Sequence, residues 1–331
     1  MTSRGASRCG APAVALAGLM VACGRGAPTS DHAGATAAAA LVGALTEAEA
    51  IRAPWRCAAL PAPASAEVTV GDRRWTPTPL GLTSAGGELR LAAVAEARGV
   101  AEPRLRAALA AAQIEVVVTV GGMGTSEAEL TAALGAVVDP RWLTVAVPGE
   151  AEAFPAHRAA VAGLAAGGAA IVDGAAVRVL DAGPAVIATL PGAGHRARLA
   201  AGDEGCAHEL ADATAVIAAA TARAAERPVI LVSPRAPQGG AGDRMAGGVH
   251  AGDPALTPAV APVALVIHAP LDGAPVVADL DRGPSVDSIA AGTLDPVVRY
   301  RADGVHLPAS ATAIVADGRE LRWQPLVLPA R

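Results

Sequence analysis

The stretch EVVVTVGGMGTSEAELTAALGAVV, Glu115 to Val138, decides how the rest of the chain is read. Its first half is a run of β-branched residues without polar alternation, the pattern of a strand buried on both faces. The run breaks at Gly121-Gly122. Apolar residues at helical spacing follow, with Ser126 placed to cap the helix and Glu129 three residues on to complete a capping box. Strand, glycine turn and helix make one β-turn-α unit, and similar units flank it. Upstream, Glu88 to Ala95 (ELRLAAVA) ends at EARGV, and EPRLRAALAAA follows from Glu102, with Pro103 suited to a helix start. Downstream, the apolar run from Leu143 to Val147 breaks at Pro148-Gly149, and PGEAE leads into a helix reaching roughly Leu164. Three buried strands alternating with helices predict a parallel-rich sheet covered on both faces.

Beyond this point the rhythm changes. GAAIVDGAAVRVLDAGPAVIATLPG, Gly168 to Gly192, has short apolar runs separated by Asp-Gly and Gly-Pro turns, and predicts a meander of antiparallel strands. A long helix from about Ala207 to Glu226 comes next. PVILVS and PVALVIH, ending at Ser233 and His268, read as two more buried strands, each leading into a Pro-rich or Gly-rich turn. VVRYRADGVHL and TAIVADGRELRWQPLVL are again β-like, with Asp-Gly turns. The sum is an α/β sandwich whose strand-end turns gather on one side, where open α/β sheets keep their chemistry.

Composition limits the function classes. The 331 residues are 52% apolar and 17% charged, enough to bury a large core. A formal net charge of -5, with no basic block, gives no footprint for nucleic acid. Lys and Asn are absent while Ala, Gly, Pro and Arg abound, a bias expected of a GC-rich genome.

The N-terminus reads as an export signal. Arg4 and Arg8 form a basic region, and Ala11 to Ala22 (APAVALAGLMVA) is an apolar segment too short to span a bilayer. Met20-Val21-Ala22-Cys23 resembles a bacterial lipobox, which implies lipidation of Cys23 and a membrane anchor in the cell envelope. Gly24 in place of Asp after that Cys implies the outer membrane or the periplasmic face. Residues 1–22 are then the signal peptide and 23–52 a lipid-anchored flexible tether, with the folded part starting near Ala53. With Cys9 removed and Cys23 lipidated, Cys57 and Cys206 are left as one pair in an oxidising compartment. A disulfide and two separately buried thiols are both open. No Cys/His spacing suggests zinc.

The order of strand-end turns from Glu88 to Asp272 resembles that of the calcineurin-like metallophosphoesterases. That family is a sandwich of mixed β-sheets flanked by helices. Its five strand-end signatures are Asp-x-His, Gly-Asp, Gly-Asn-His-Asp/Glu, a lone His before a Pro-containing turn, and Gly-His-x-His, and together they hold two metals. Such a pair clamps the attacking and leaving oxygens and supplies a hydroxide near neutral pH. Carried over residue by residue, most ligands are missing. AEARG puts Glu96 for the Asp and Arg98, which cannot ligate a metal, for the His. VGGMG puts Gly122 where the bridging Asp would stand. In PGEAE, Glu150 replaces Asn, Ala151 replaces the catalytic His, and only Glu152 matches. VSPRAP supplies Pro234 for the lone His, and IHAPLDG offers Asp272 with His268 one step ahead of the expected glycine.

Residues 53–331 are therefore expected to be a metallophosphoesterase-like domain with a C-terminal β segment, exported, with no catalytic residue assigned and without a resident metal. The resemblance implies a pseudoenzyme that binds or scaffolds, with an unknown protein or a small anionic ligand as partner. Arg98 facing Glu96, Glu150 and Glu152 would form a buried charge network in place of the dications. In an open cleft beside GGMG, Arg98 would instead hold a phosphate or carboxylate. His250 and His268 are the polar residues expected nearest that mouth. The alternative is a divergent metal-dependent phosphoesterase with a dinuclear site rebuilt from Glu96, Glu150, Glu152, Asp272 and His268. A molybdopterin-binding-like turn at VVVTVGGMG is a third reading, disfavoured by export and by the later turns.

Overall fold

The computed structural model describes residues 57, 67–239, 243, 249–270, 281–282, 286–295 and 308–328. The signal segment, Cys23, the tether, Asp272 and VVRYRADGVHL lie outside them. In chain order the described elements are β1 (Val68–Val70), β2 (Arg73–Thr78), β3 (Gly81–Thr83), β4 (Glu88–Ala95), α1 (Leu105–Ala111), β5 (Val116–Val120), α2 (Glu127–Val137), β6 (Leu143–Val147), α3 (Phe154–Ala166) and β7 (Ile171–Asp173). Then come β8 (Val179–Asp181), β9 (Val186–Thr189), α4 (Leu210–Ala224), β10 (Val229–Val232), β11 (Leu265–His268), β12 (Asp281–Arg282), β13 (Asp287–Ala290), β14 (Gly292–Thr293), β15 (Ser310–Asp317) and β16 (Glu320–Val327).

These strands form two mixed sheets. One has nine strands in the order β1-β2-β3-β8-β9-β10-β11-β13-β12, and the other has seven in the order β16-β15-β4-β5-β6-β7 with β14 beside β4. The strands β4, β5, β6 and β7 are parallel neighbours, as are β9, β10 and β11. Alternate side chains of β4 and β5 explain the layering. Leu89, Leu91, Val116, Val118 and Val120 meet Ile187, Ile230 and Val232 of the other sheet in one buried cluster. Ala92, Val94 and Val117 face outward under Leu109, Leu130 and Leu134 of the helices. The outer face of the nine-stranded sheet is covered by α4 through Val216, Ile217 and Ala220. Each fully buried Val or Leu contributes ~1.5–3 kcal/mol of transfer free energy, so the two-faced burial of β4–β6 and β9–β11 dominates the stability. The architecture is a mixed α/β sandwich of two sheets flanked by few helices, compatible with the calcineurin-like one.

Ser126 caps α2 and Glu129 closes the capping box. Pro103 is not in the first turn of α1, which starts two residues later: the buried carboxylate of Glu102 accepts from the Arg104 amide, and Arg104 stands at the N-cap position without a side-chain capping bond. The segment 168–192 is not a single meander. Ile171–Asp173 extends the seven-stranded sheet parallel to β6, and only β8 and β9 pair antiparallel, in the other sheet. Asp173-Gly174 is thus a crossing between sheets, and a Cβ on Gly174 would lie 2.7 Å from Val147 Cγ2, so close packing requires the glycine there. Arg178, at that crossing, is fully buried with no hydrogen-bond partner on its guanidinium among the described residues. Burial lowers its pKa to about 10 against the pull of Asp212 and Asp173, and it remains a cation at neutral pH at a net cost to the fold.

Candidate functional site

The turns after β4, β5, β6 and β10 converge. Gly121 and Gly149 sit back to back: a Cβ on Gly121 would lie 2.8 Å from Gly149 Cα and 3.6 Å from Pro234 Cβ. Gly121 and Gly122 both hold φ near 70°, and Glu96 and Arg98 share the left-handed region at 54° and 49°. Two such non-glycine residues in one turn store strain of order 1–3 kcal/mol each. Backbone bonds hold them in place, from Glu96 N–H to Gly121 O at 3.2 Å and from Arg98 N–H to Gly122 O at 2.9 Å.

Within this frame the carboxylates are occupied by donors of the protein itself. Glu152 is fully buried, and its two oxygens accept from the amides of Met123 at 2.9 Å and Gly149 at 2.7 Å. Burial raises its pKa, opposed by those amides and by His157 and assisted by Glu96. Glu96 extends into the space a side chain at 122 would need, since a Cβ there would lie 2.5 Å from Glu96 Oε1. Burial raises the Glu96 pKa as well, countered by Arg98 and assisted by Asp295 and Glu150. Arg98 Nε stands 3.3 Å from both Glu96 and Asp295, with more than half of its side chain exposed, so its pairs contribute ~0–1 kcal/mol. Glu150 receives both Nε, at 2.9 Å, and Nη2 of Arg235 in a bidentate pair across the two sheets.

Glu96, Gly122, Glu150, Glu152 and Pro234 therefore come together, with Ala151 contributing no polar atom. Arg98 pairs with Glu96 and with Asp295, not with Glu150 or Glu152 as in the expected single cluster. The reason is geometric, because Glu152 is turned inward onto two amides and Glu150 is taken by Arg235. His268 is buried at the end of β11, its Nδ1 2.8 Å from the carbonyl of Ala269. His250 pairs with buried Asp243 at 2.7 Å. Asp272 lies outside the described residues, and among those described no three His, Cys, Asp or Glu side chains are arranged to hold a metal.

Sequence reasoning does not single out Arg235 or Asp295. Arg235 has a local signal, since it follows Pro234 in the same turn. Asp295 has none: it arrives because β14 returns beside β4, a pairing of residues about 200 apart in sequence.

The wall contributed by the nine-stranded sheet is built differently. His208 and Asp253, both buried, meet at 2.7 Å, and the second ring nitrogen of His208 lies 2.9 Å from Pro191 O. Burial alone would push the Asp253 carboxyl up, but His208, the Ala255 amide and Arg198 together hold it below its ordinary value. Arg198 donates to Ala251 O at 2.8 Å, and Cys206 is joined to Cys57 with the Cα atoms 5.4 Å apart.

No protein-family model and no curated protein matches the chain. One solved structure matches 73% of this chain and 100% of its own at 12% identity and a TM-score of 0.52. The crystal structure of TT1561 of Thermus thermophilus matches 72% of this chain and 99% of its own at 12% identity and a TM-score of 0.46. At that identity the likeness concerns the fold alone, and the first of the two is the one that supports it.

Proposed function

We propose that the protein is an exported, lipid-anchored member of the phosphoesterase fold whose dinuclear metal position has been closed by ion pairs and backbone bonds, and that it binds or scaffolds rather than hydrolyses. The observation that carries this reading is the Glu96 carboxylate lying where a bridging carboxylate at position 122 would project. A metal pair needs free oxygen or imidazole lone pairs. Here Glu152 has both oxygens on amides, Glu150 is held by Arg235, and Gly122, Ala151 and Pro234 supply no ligand atom. The site also brings together more carboxylates (Glu96, Glu150, Glu152, Asp295) than guanidiniums (Arg98, Arg235). That excess favours, as the second reading, a divergent hydrolase with a rebuilt metal site that Asp272 and His268 would complete.

One experiment separates the two. Mature protein purified with its anchor segment is expected to carry well under one tightly bound transition metal per chain and to leave simple phosphate mono- and diesters at the background rate, with or without manganese. Stoichiometric metal together with esterase activity that Glu152→Ala abolishes would replace the pseudoenzyme by the divergent hydrolase.

A further inference from the structure

The loop from Gly192 to His208 is tied to the PGEAE turn at one end and to the disulfide at the other. Gly192 N–H donates to Pro148 O at 2.8 Å, and Ala200 N–H donates to Glu150 O at 2.9 Å. The same loop closes on Cys206: Ala193 N–H donates to Cys206 O at 3.1 Å, and His208 N–H donates to Ala193 O at 3.0 Å. Gly192, at φ 77°, approaches the Cys206 carbonyl so closely that any Cβ there would collide with it. Cys206 is thus one hydrogen bond from Ala193, whose neighbour Gly192 grips Pro148.

From this connectivity we infer that the Cys57–Cys206 disulfide is a redox-sensitive clamp on the PGEAE turn. The two sulfurs are not equivalent. Cys206 is fully buried, whereas Cys57 is half-buried and lines a groove with Phe154, Val172 and Val177. A dithiol reductant therefore attacks at Cys57. Its thiolate bonds to the Cys57 sulfur, the S–S bond breaks, and Cys206 leaves as a thiolate that takes a proton from solvent. The reductant's second thiolate then attacks its own mixed sulfur and releases Cys57, so two protein thiols are gained as one dithiol is oxidised to its cyclic disulfide. With the bond open, Cys206 is no longer anchored to the chain at 57, and the Gly192–Pro148 and Ala200–Glu150 bonds lose their covalent support, leaving the loop held by the contacts of His208 with Asp253 and of Arg198 with Ala251. The inference concerns the turn's mobility and stands whether or not the cleft is a pseudoenzyme's.

Hydrogen exchange on the full mature chain tests it, comparing oxidised protein with protein reduced by dithiothreitol and alkylated, and with Cys57→Ala. The amides of Gly149, Gly192, Ala193, Ala200 and His208 are expected to exchange at least about tenfold faster once the bond is open, while Val117 and Val145 in the central strands keep their rates. Unchanged exchange at Gly149 and Ala200 with both thiols alkylated would overturn the inference. So would an equal acceleration at Val117, which would mean global destabilisation, or two free thiols in protein purified without reductant.

Discussion

The two walls of the candidate site hold themselves together by different means. On the seven-stranded sheet the turns are made of backbone: left-handed residues at 96, 98, 121 and 122, two amides on Glu152, and glycines pressed together where no Cβ could enter. On the nine-stranded sheet long loops are pinned by side chains, His208 on Asp253, His250 on Asp243 and Arg198 on Ala251. The walls also respond oppositely to protons. Glu96 and Glu152 have raised pKa values, so their contribution is fully present below the unfolded carboxylate range and lost as pH rises through the folded values. Asp253 has a lowered one, so its contribution is present above the unfolded range and lost as pH falls through the folded value. The first wall keeps Glu152 on two amides and Glu96 beside Arg98, while the opposite wall is secured by a compensated pair.

The most damaging way to break this contrast is Asp253→Ala, which leaves the buried His208 imidazole without its carboxylate partner. A loss of about 3 kcal/mol in denaturant unfolding is expected. A loss under about 1 kcal/mol would mean that the side-chain strut is not what secures the second wall.

A smaller effect sharpens the contrast on the first wall. Glu152→Gln keeps the shape but points an NH2 donor at one of two amide donors, at a cost of about 1–3 kcal/mol. That cost should be largest in acid and shrink as pH rises through the raised pKa of Glu152, because the native protein alone must then bury a charge. Unfolding curves of both proteins across this range check the sign. A cost that grows with rising pH would show that Glu152 is stabilised as the anion.

Much of the fold is legible because β4, β5, β6, β10 and β11 are apolar runs buried on both faces, and α2 carries its cap in its own sequence. The strands β1 to β3 are not: Thr, Pro and Arg in RRWTPTPL blur the alternation, and within that stretch Trp75 alone is buried. The crossing at Asp173-Gly174 reads as a hairpin because local turn chemistry does not reveal which sheet the next strand joins. The order of turns is enough to expect positions 96, 122, 150, 152 and 234 near one another, and they are. The partners cannot be read that way, since Arg235 on Glu150 and Asp295 on Arg98 are contacts between distant segments.

If donors of the protein occupy the place of two metals, as proposed, a calorimetric manganese titration reveals it. Unmodified protein is compared with the variant Glu96→Asp, Arg98→His, Gly122→Asp, Ala151→His. The shortening at 96 is required because the Glu96 carboxylate fills the space next to Gly122. The unmodified protein is expected to give no saturable heat, and the variant to bind manganese saturably. Saturable binding of two manganese ions per chain by the unmodified protein would contradict the account.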